Sequence, residues 1–276
     1  MITGPDNVNV RAGDARSTIA ASRVGWRSAT AAVLFAAVAS AGCSRPTDRP
    51  AALPPDCKAS RGTDLTTSRE GQRVLIHLPP CYAEHPTSRY PVIVLIHGAG
   101  ADETQWPDVG IVTTADQMTG TGDIGPAILV VPNFGDSPSA SEADVVTTKI
   151  VPWLDSRYRT IPDPEHRAVG GISRGGGAAL LAAGARPDLF GIVGAHSPAV
   201  SGDLNVLRDG LTAIGGNIWI DVGTSDGLHD TTVQFADSLK RSGIAVEMHV
   251  QPGRHNRAYW RANVDDYLRF YASRWR

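Results

Sequence analysis

The sequence predicts an α/β fold in which a mostly parallel central sheet is covered by helices on both faces. Two observations predict it. After Cys57, short aliphatic runs alternate with longer amphipathic stretches, which is the pattern of strands that alternate with helices. The aliphatic runs are apolar at every position, as in Val92–Ile96, and strands of this kind belong to a sheet that is buried on both faces.

The individual elements follow from these patterns in chain order. Strands are predicted at residues 74–78, 92–97, 127–131, 167–170, 191–195, 218–222 and 246–251. The clearest helices are predicted at residues 143–158, 175–185, 231–242 and 257–275. Segments 101–123, 133–141 and 197–215 carry no readable motif, and the last is too short for a large lid domain. The sequence shows no internal repeat, and its composition does not change after Cys57. Residues 57–276 are therefore predicted to be one catalytic domain.

Composition limits the classes of partner. The chain has 276 residues and a formal charge of −2, and its first 56 residues hold six arginines and four aspartates, so the remainder carries −4. The charges are mixed along the chain and show no basic patch of the kind that binds nucleic acid. We therefore exclude nucleic acid as a partner.

The N-terminal region has the layout of a secretory signal peptide. An Ala-rich apolar run at residues 29–41 follows Arg23 and Arg27 and ends in small residues. The run is shorter than the ~20 residues that span a bilayer; the alternative is a buried core helix. Residues 1–42 are predicted to be the signal region, with a translation start downstream of Met1, near Val24, as an alternative because a long polar stretch precedes Arg23. The protein is therefore expected to be exported.

Two processing outcomes remain open. Ala39-Ser40-Ala41 is a small-x-small peptidase site, whereas Ala41-Gly42-Cys43 is similar to the end of a lipoprotein signal, although Ser40 stands where an aliphatic residue is usual. The first outcome releases the protein, and the second attaches it to a membrane through a lipid on Cys43. Residues 43–56 are Pro-rich and polar, which predicts an extended tether.

The three cysteines bear on the same question. If Cys43 is lipidated, Cys57 and Cys81 remain as an even pair in an oxidising compartment. They are candidates for a disulfide that ties the start of the domain to its first strands. The alternative is two free buried thiols, because spacing alone does not set the distance between them.

One motif predicts nucleophilic chemistry. Gly171-Ile172-Ser173-Arg174-Gly175 matches G-x-S-x-G, with an aliphatic strand before it and a Gly- and Ala-rich helix after it. Strand, sharp turn and helix form a nucleophile elbow, the turn that exposes the serine hydroxyl in α/β-hydrolases. The alternative is that Ser173 is an ordinary helix N-cap.

A serine nucleophile needs a base, and the base needs an acid that orients it. In this fold the chain order is Ser, then Asp or Glu, then His. Asp226 follows the predicted strand 218–222 and His255 follows the strand 246–251. Both lie at the carboxyl ends of strands, where open α/β sheets place their sites. The predicted triad is therefore Ser173, Asp226 and His255.

Three other residues compete for these roles. Asp221 lies inside a strand and is expected to be a hydrogen-bonded structural carboxylate. His196 precedes both predicted partners, so the chain order argues against it as the base. His229 is expected at the pocket rim. No histidine spacing indicates a metal site.

Acyl transfer also needs N–H donors for the oxyanion. One is expected from Arg174, directly after the nucleophile, and the other from the loop His97-Gly98-Ala99-Gly100. Ala99 is the favoured donor in this loop and Gly98 is the nearest alternative. His97 is expected to shape the loop through hydrogen bonds, and the role of Trp106, core or pocket wall, stays open.

Several motifs together resemble those of the putative esterase family, which includes feruloyl and acetylxylan esterases, S-formylglutathione hydrolase, enterochelin esterase and the antigen 85 mycolyltransferases. The resemblance spans about residues 72–275. The matching runs are Leu78-Pro79-Pro80-Cys81-Tyr82, Arg89-Tyr90-Pro91-Val92, Leu95-Ile96-His97-Gly98-Ala99-Gly100, Gly171-Ile172-Ser173-Arg174-Gly175-Gly176, Arg186-Pro187-Asp188-Leu189-Phe190 and Gly253-Arg254-His255-Asn256. The resemblance implies the same triad of Ser173, Asp226 and His255. Arg254 stands where members commonly have Gly, and Cys81 replaces the usual Gly before Tyr82, which fits a disulfide added by an exported member.

These observations predict an exported serine ester hydrolase of the α/β-hydrolase type that forms an acyl-enzyme on Ser173 and needs no cofactor or metal. Its substrate is expected to be a small-molecule, glycan or lipid ester. One alternative is an acyltransferase of the antigen 85 kind, in which a sugar hydroxyl replaces water. The other is a surface binding protein that keeps the fold without the chemistry.

Overall fold

Eight strands form one sheet in the computed structural model, which describes Cys57 and residues 61–69, 71–137, 139–200 and 205–275. The strands are β1 (Thr63–Arg69), β2 (Gln72–Leu78), β3 (Val92–Ile96), β4 (Ile128–Pro132), β5 (Arg167–Ile172), β6 (Ile192–His196), β7 (Ile218–Gly223) and β8 (Glu247–Gln251). Their order is β1-β2-β4-β3-β5-β6-β7-β8. Strands β3 to β8 are parallel, and β1 and β2 pair antiparallel at one edge. The predicted mostly parallel α/β fold is confirmed.

Nine α-helices cover the described part of this sheet. They are α1 (Gln105–Asp108), α2 (Ile111–Thr121), α3 (Ser139–Val145), α4 (Val151–Arg157), α5 (Arg174–Ala185), α6 (Asn205–Ile214), α7 (His229–Arg241), α8 (Arg257–Ala262) and α9 (Val264–Ala272). A π-helical turn at Val146–Ile150 joins α3 to α4. Between β6 and β7 the described chain contributes only α6, so these residues contain no lid domain there. No helix among the described residues has the length and apolar character needed to cross a bilayer.

The apolar strands serve two cores, one on each face of the sheet. In β3, Val92, Val94 and Ile96 pack with residues of α3 to α7, while Ile93 and Leu95 pack with residues of α1, α2, α8 and α9. Successive side chains of a strand point to opposite faces. A strand between two cores must therefore be apolar at every position, as the sequence predicted.

Some predicted elements were wrong. The helix expected over residues 257–275 is two helices that meet at Asn263, whose Nδ2 donates to the carbonyl of Tyr259; asparagine side chains compete in this way with helical backbone bonds. Strand β1 was missed because it lies at the sheet edge and five of its seven residues are exposed. It therefore shows no apolar periodicity. Helices α1, α2 and α6 were also missed, since they lie in segments without a readable motif.

A buried histidine joins β1 to the body of the domain. His77 in β2 is 2% exposed; its Nδ1 lies 2.8 Å from Asp64 Oδ1 in β1 and its Nε2 lies 3.0 Å from Asp116 Oδ1 in α2. Burial by itself lowers the pKa of His77, but the hydrogen bonds and charges of Asp116 and Asp64 outweigh it and raise the pKa above 6.5. The shift favours the protonated ring, which bridges two carboxylates.

This bridge makes stability depend on pH. Because the folded-state pKa of His77 is raised, its contribution is fully present below about pH 6.5 and is lost as the pH rises through the folded-state pKa. In urea unfolding, wild type is expected to be more stable than His77→Gln by roughly 1 kcal/mol below pH 6.5, and the difference is expected to shrink at alkaline pH. A difference that grows with pH would contradict this assignment.

The structure joins Cys57 and Cys81 in a disulfide, the predicted pairing, and the alternative of two free thiols is excluded. Cys81 has a φ of 56°, the left-handed region that favours glycine. This backbone explains why a glycine is usual at this position in the family that the sequence resembles. The predicted signal region, the tether and Cys43 lie outside the described residues, and the domain boundaries stay predictions.

Loss of this disulfide is expected to reduce the free energy of unfolding. It closes a loop with a sequence separation of 24 residues, and cross-links of that size stabilise by about 3 kcal/mol through the unfolded state. The double variant Cys57→Ala/Cys81→Ala should therefore show a lower urea midpoint than wild type. Addition of dithiothreitol should lower the midpoint of wild type and leave that of the double variant unchanged. Equal midpoints for the two proteins without reductant would contradict this prediction.

Candidate active site

Ser173 sits on a strained turn between β5 and α5. Its φ is 57° and its ψ is −118°, a conformation that costs a non-glycine residue energy and is found at functional sites. Its N–H donates to the carbonyl of His196 at 2.9 Å, and its carbonyl accepts the N–H of Ala199 at 2.8 Å. These bonds to the end of the neighbouring strand β6 and the residues after it hold the turn, and the hydroxyl is partly exposed.

Two glycines make this turn sterically feasible. A Cβ on Gly171 would lie 2.0 Å from the carbonyl oxygen of Gly175, and a Cβ on Gly175 would lie 2.4 Å from the carbonyl oxygen of Ile96. Backbone fills both positions and has no freedom to shift. The first and last glycines of G-x-S-x-G are therefore required by close packing of β3, β5 and α5, as the sequence predicted.

The three predicted triad residues meet at the carboxyl end of the sheet. His255 Nε2 lies 2.9 Å from Ser173 Oγ, and His255 Nδ1 lies 2.9 Å from Asp226 Oδ2 and 3.1 Å from Oδ1. Asp226 is 6% exposed, whereas the His255 side chain is one-third exposed. A buried carboxylate thus faces one ring nitrogen, and the other faces the serine hydroxyl from an open position.

Short loops after β7 and β8 bring Asp226 and His255 together. Ser225 N–H donates to the carbonyl of Gly253 at 2.8 Å, so the two loops are joined by backbone. Asp226 Oδ1 also accepts the N–H of Leu228 at 2.8 Å, which sets the rotation of the carboxylate. Because β7 and β8 are adjacent and parallel, their carboxyl ends place the acid and the base side by side.

The competing residues have other partners. Asp221 is 1% exposed and bonds to groups beneath the site, as expected for a structural carboxylate. The ring of His196 bonds to Asp221 and Tyr271 rather than to Ser173. His229 begins α7, and its Nδ1 contacts the carboxylate of Asp230 at 2.8 Å.

Hydrogen bonds of His97 shape the loop after β3, which holds the predicted donor Ala99. His97 is fully buried; its Nδ1 donates to the carbonyl of Gly98 at 2.8 Å and its Nε2 accepts the N–H of Phe134 at 2.9 Å. Burial lowers the pKa of His97, which favours the neutral ring that this pattern requires. The carbonyl of Gly98 and the N–H of Ala99 belong to one planar peptide and point in opposite directions. Holding the carbonyl therefore orients the N–H of Ala99.

Of the two donors proposed for this loop, Ala99 is the one that is free. The N–H of Gly98 donates to Gln105 Oε1 at 2.7 Å, so Gly98 is not available. No acceptor among the described residues takes the N–H of Ala99 or of Arg174. Arg174 occupies the first position of α5, where backbone N–H groups have no intrahelical partner.

The guanidinium of Arg174 is held by groups of α3 and of the loop after β4. It donates to the carbonyl of Gly135 at 2.6 Å and lies 2.9 Å from Glu142 Oε1 and 3.4 Å from Asp136 Oδ1. Glu142 is fully buried, and burial raises its pKa to about 7 against the opposing effect of Arg174. The side chain of Arg174 thus connects α5 to α3 and the loop after β4.

Trp106 proves to be a core residue. It is fully buried, and its Nε1 donates to the carbonyl of Ile96 at 3.1 Å. For metal binding, the group of close ligands among the described residues consists of Cys57, Cys81 and His85. The disulfide uses both sulfur atoms, so this group offers no thiolate to a metal ion.

Comparison with known families gives one match over most of the chain. The model of the family described as putative esterase matches residues 67–271. An endo-1,4-beta-xylanase/feruloyl esterase of Xylanibacter ruminicola is 30% identical over 137 residues, 45% of this chain and 19% of the relative. An uncharacterised protein of Corynebacterium glutamicum is 30% identical over 139 residues, 46% of this chain and 33% of the relative. The match thus spans a third or less of each relative.

Solved structures show the same fold. A ferulic acid esterase superposes with a TM-score of 0.71 at 21% identity, over 78% of this chain and 99% of the other. An S-formylglutathione hydrolase from Staphylococcus aureus gives 0.65 at 18% identity, over 77% and 97%. A feruloyl esterase module from Clostridium thermocellum, complexed with sinapinate, gives 0.67 at 20% identity, over 82% and 92%.

Proposed function

The chain belongs to the putative esterase family, and on that premise we propose that it is an exported serine carboxylic ester hydrolase that forms an acyl-enzyme on Ser173. One observation carries the proposal: the line of contacts from Ser173 Oγ through the imidazole of His255 to Asp226, 2.9 Å at each step. A serine hydroxyl becomes nucleophilic when a base takes its proton and an acid orients that base.

In the first step Ser173 Oγ attacks the ester carbonyl carbon while its proton passes to His255 Nε2. Asp226 stabilises the imidazolium through the Nδ1–H bond. The carbonyl oxygen becomes an oxyanion and accepts the free N–H groups of Ala99 and Arg174, whose positions do not change during the step. Collapse of the intermediate breaks the bond to the alcohol, which leaves with the proton from His255.

In the second step water replaces the alcohol. His255 takes a proton from the water as it attacks the acyl carbon, and the same two N–H groups stabilise the second oxyanion. The acid leaves, and Ser173 regains its proton. The exposure of the His255 side chain supports hydrolysis, since water reaches the base from solvent.

The first substrates to test are esters of aromatic acids, because one curated relative is named a feruloyl esterase and one structural neighbour is complexed with sinapinate. A panel should compare methyl ferulate and methyl sinapinate with aliphatic esters of increasing acyl length. Covalent labelling by a fluorophosphonate probe reports the activated serine directly. Labelling together with ester hydrolysis supports the proposal, and absence of labelling in the folded protein favours the non-catalytic surface binding protein instead.

Acyl transfer of the antigen 85 kind differs only in the second step. Product analysis with and without a polyol acceptor separates the two reactions. Free acid as the main product in both conditions supports hydrolysis, and an ester of the polyol at the expense of free acid overturns it.

Export is the remaining part of the proposal. The Ala-rich run at residues 29–41 and the disulfide of Cys57 with Cys81 both support an oxidising compartment outside the cytoplasm. Fractionation of cells and mass spectrometry of the mature N-terminus test it. A terminus that begins at Cys43 with a lipid indicates membrane attachment, one that begins just after Ala41 indicates release, and an intact N-terminus in the cytoplasm overturns export.

A further inference from the structure

A buried polar cluster that the reaction does not use lies beneath the candidate site. Its centre is Asp221 in β7, and both carboxylate oxygens are fully hydrogen-bonded. Oδ1 contacts His196 Nδ1 at 2.6 Å and accepts Trp219 Nε1–H at 2.8 Å. Oδ2 accepts the hydroxyls of Tyr259 at 2.8 Å and Tyr267 at 2.9 Å. We call these five residues the Asp221 cluster.

Burial, followed by the charge of Asp221, raises the pKa of both tyrosines above the usual 10.0. Their hydroxyls therefore remain protonated and act as donors over the whole working range of pH. Each of them provides one bond to the same oxygen of a buried carboxylate. Such charge-assisted bonds hold their donors firmly.

The two tyrosines differ in what else they contact. Tyr259 lies in α8, four residues after His255, and its ring packs on the backbone of Gly253, where a Cβ would lie 2.5 Å from Tyr259 Cδ2. Its N–H donates to Asn256 Oδ1 at 3.1 Å. Tyr259 therefore contacts the loop of His255 on both sides of that residue. Tyr267 lies in α9 and stacks on the ring of His196.

A second contact joins the same helix to His255. The indole of Trp260 meets the His255 ring edge to face, with centroids 5.1 Å apart, and its Nε1 donates to Ser197 Oγ at 3.3 Å. Ser197 in turn donates its backbone N–H to the carbonyl of Asp221 at 2.7 Å. Helix α8 is therefore tied to β7 directly by Tyr259 and indirectly, through Ser197, by Trp260.

We propose that Tyr259, anchored on Asp221, is a positioning residue for His255. This inference rests on the proposed function, since His255 is the base of that reaction. The bond from Tyr259 to Asp221 fixes the distance between α8 and strand β7. Because the Tyr259 ring and Asn256 bracket the loop, this bond sets where His255 Nε2 meets Ser173 Oγ. Tyr259 is 3% exposed, so the inference predicts an effect on the chemical step and none on substrate binding.

The test compares Tyr259→Phe with Tyr267→Phe. Each variant removes one hydroxyl from the same oxygen of Asp221, so both should lower Tm by a similar few degrees. The inference predicts that kcat falls about tenfold in Tyr259→Phe, with KM unchanged, and stays within about twofold of wild type in Tyr267→Phe. Equal kcat values in the two variants, or a wild-type kcat in folded Tyr259→Phe, would overturn it.

A second readout does not depend on turnover. The Nδ1–H proton of His255, in contact with Asp226, gives a downfield NMR resonance that His255→Gln removes and so assigns. The inference predicts that this resonance shifts or broadens in Tyr259→Phe and keeps its position in Tyr267→Phe. An unchanged resonance in both variants overturns it. If wild type neither labels nor hydrolyses esters, the proposed function fails, while this resonance still decides the positioning role.

Should Tyr259→Phe not fold, Asn256→Ala tests the other end of the same link. It removes the Oδ1 that accepts the N–H of Tyr259 and leaves the bond from Tyr259 to Asp221 in place. A lower kcat with unchanged KM in the folded variant supports the inference, and a wild-type kcat overturns it.

Discussion

Replacing Ser173 with alanine is expected to lower kcat by about 10⁶-fold while the protein keeps its fold. The variant removes one oxygen from a partly exposed side chain, and alanine adds no atom to the turn. The N–H groups of Ala99 and Arg174 remain, so weak residual catalysis and unchanged substrate binding are expected. The measurements are kcat and KM on the best ester of the panel, together with fluorophosphonate labelling, which should vanish.

Ser225→Ala is the control for this variant. Ser225 is exposed and lies one residue before Asp226, so it tests whether loss of any nearby hydroxyl matters. Wild-type kcat and full labelling are expected. Activity of Ser173→Ala within tenfold of wild type would refute Ser173 as the nucleophile.

Replacing Asp226 with asparagine is expected to lower kcat by about 10⁴-fold. Oδ1 of Asp226 accepts the N–H of Leu228, so the amide oxygen of asparagine should keep that place and turn its NH₂ toward His255 Nδ1. The ring then carries its proton on Nε2, facing Ser173 Oγ, and has no lone pair there to accept the serine proton. The size of the asparagine side chain matches that of aspartate, so the geometry itself should survive.

Asp230→Asn is the matched control. Asp230 also contacts a histidine ring at 2.8 Å, but it is exposed, and its histidine, His229, is not part of the predicted triad. Its kcat should equal that of wild type. The rate of fluorophosphonate labelling checks both variants without a substrate. A labelling rate in Asp226→Asn equal to that of wild type would show that this carboxylate does not orient the base.

Asp221 and Asp226 have different surroundings and therefore different roles. Asp221 and Asp226 lie five residues apart around the end of β7, and both contact a histidine. Asp221 faces inward among four donors and holds neighbouring elements in place, whereas Asp226 faces His255 at the sheet edge. A strand that ends between them sends one side chain into the core and the other into the loop.

The features that could be predicted from the sequence are those encoded locally. The aliphatic runs predicted strands β3 to β7, which are buried at every position, because a strand between two cores must be apolar on both sides. The glycines of 171–175 predicted the elbow, since close packing of backbone excludes a Cβ there. The positions of Asp226 and His255 after strands predicted that they meet, since parallel strands end at one edge.

Elements without local periodicity could not be predicted. Strand β1 pairs at the edge of the sheet, where both faces of a strand can be polar. The 4-residue helix α1 and the helix α2 follow the loop of His97. They owe their stability to packing in the core that they share with α8 and α9. Their sequences alone do not carry the amphipathic pattern that would identify them.

By itself the sequence determined the order of strands β2 to β8 along the chain, the turn that exposes Ser173 and the edge at which Asp226 and His255 emerge. Only the tertiary structure decided which of the two N–H groups in the His97 loop is free, which partners bury Asp221, and that His77 bridges Asp64 and Asp116. The physical reason is that these contacts join residues from non-neighbouring parts of the chain. Their distances depend on strand order and helix placement, and no local pattern of residues encodes either.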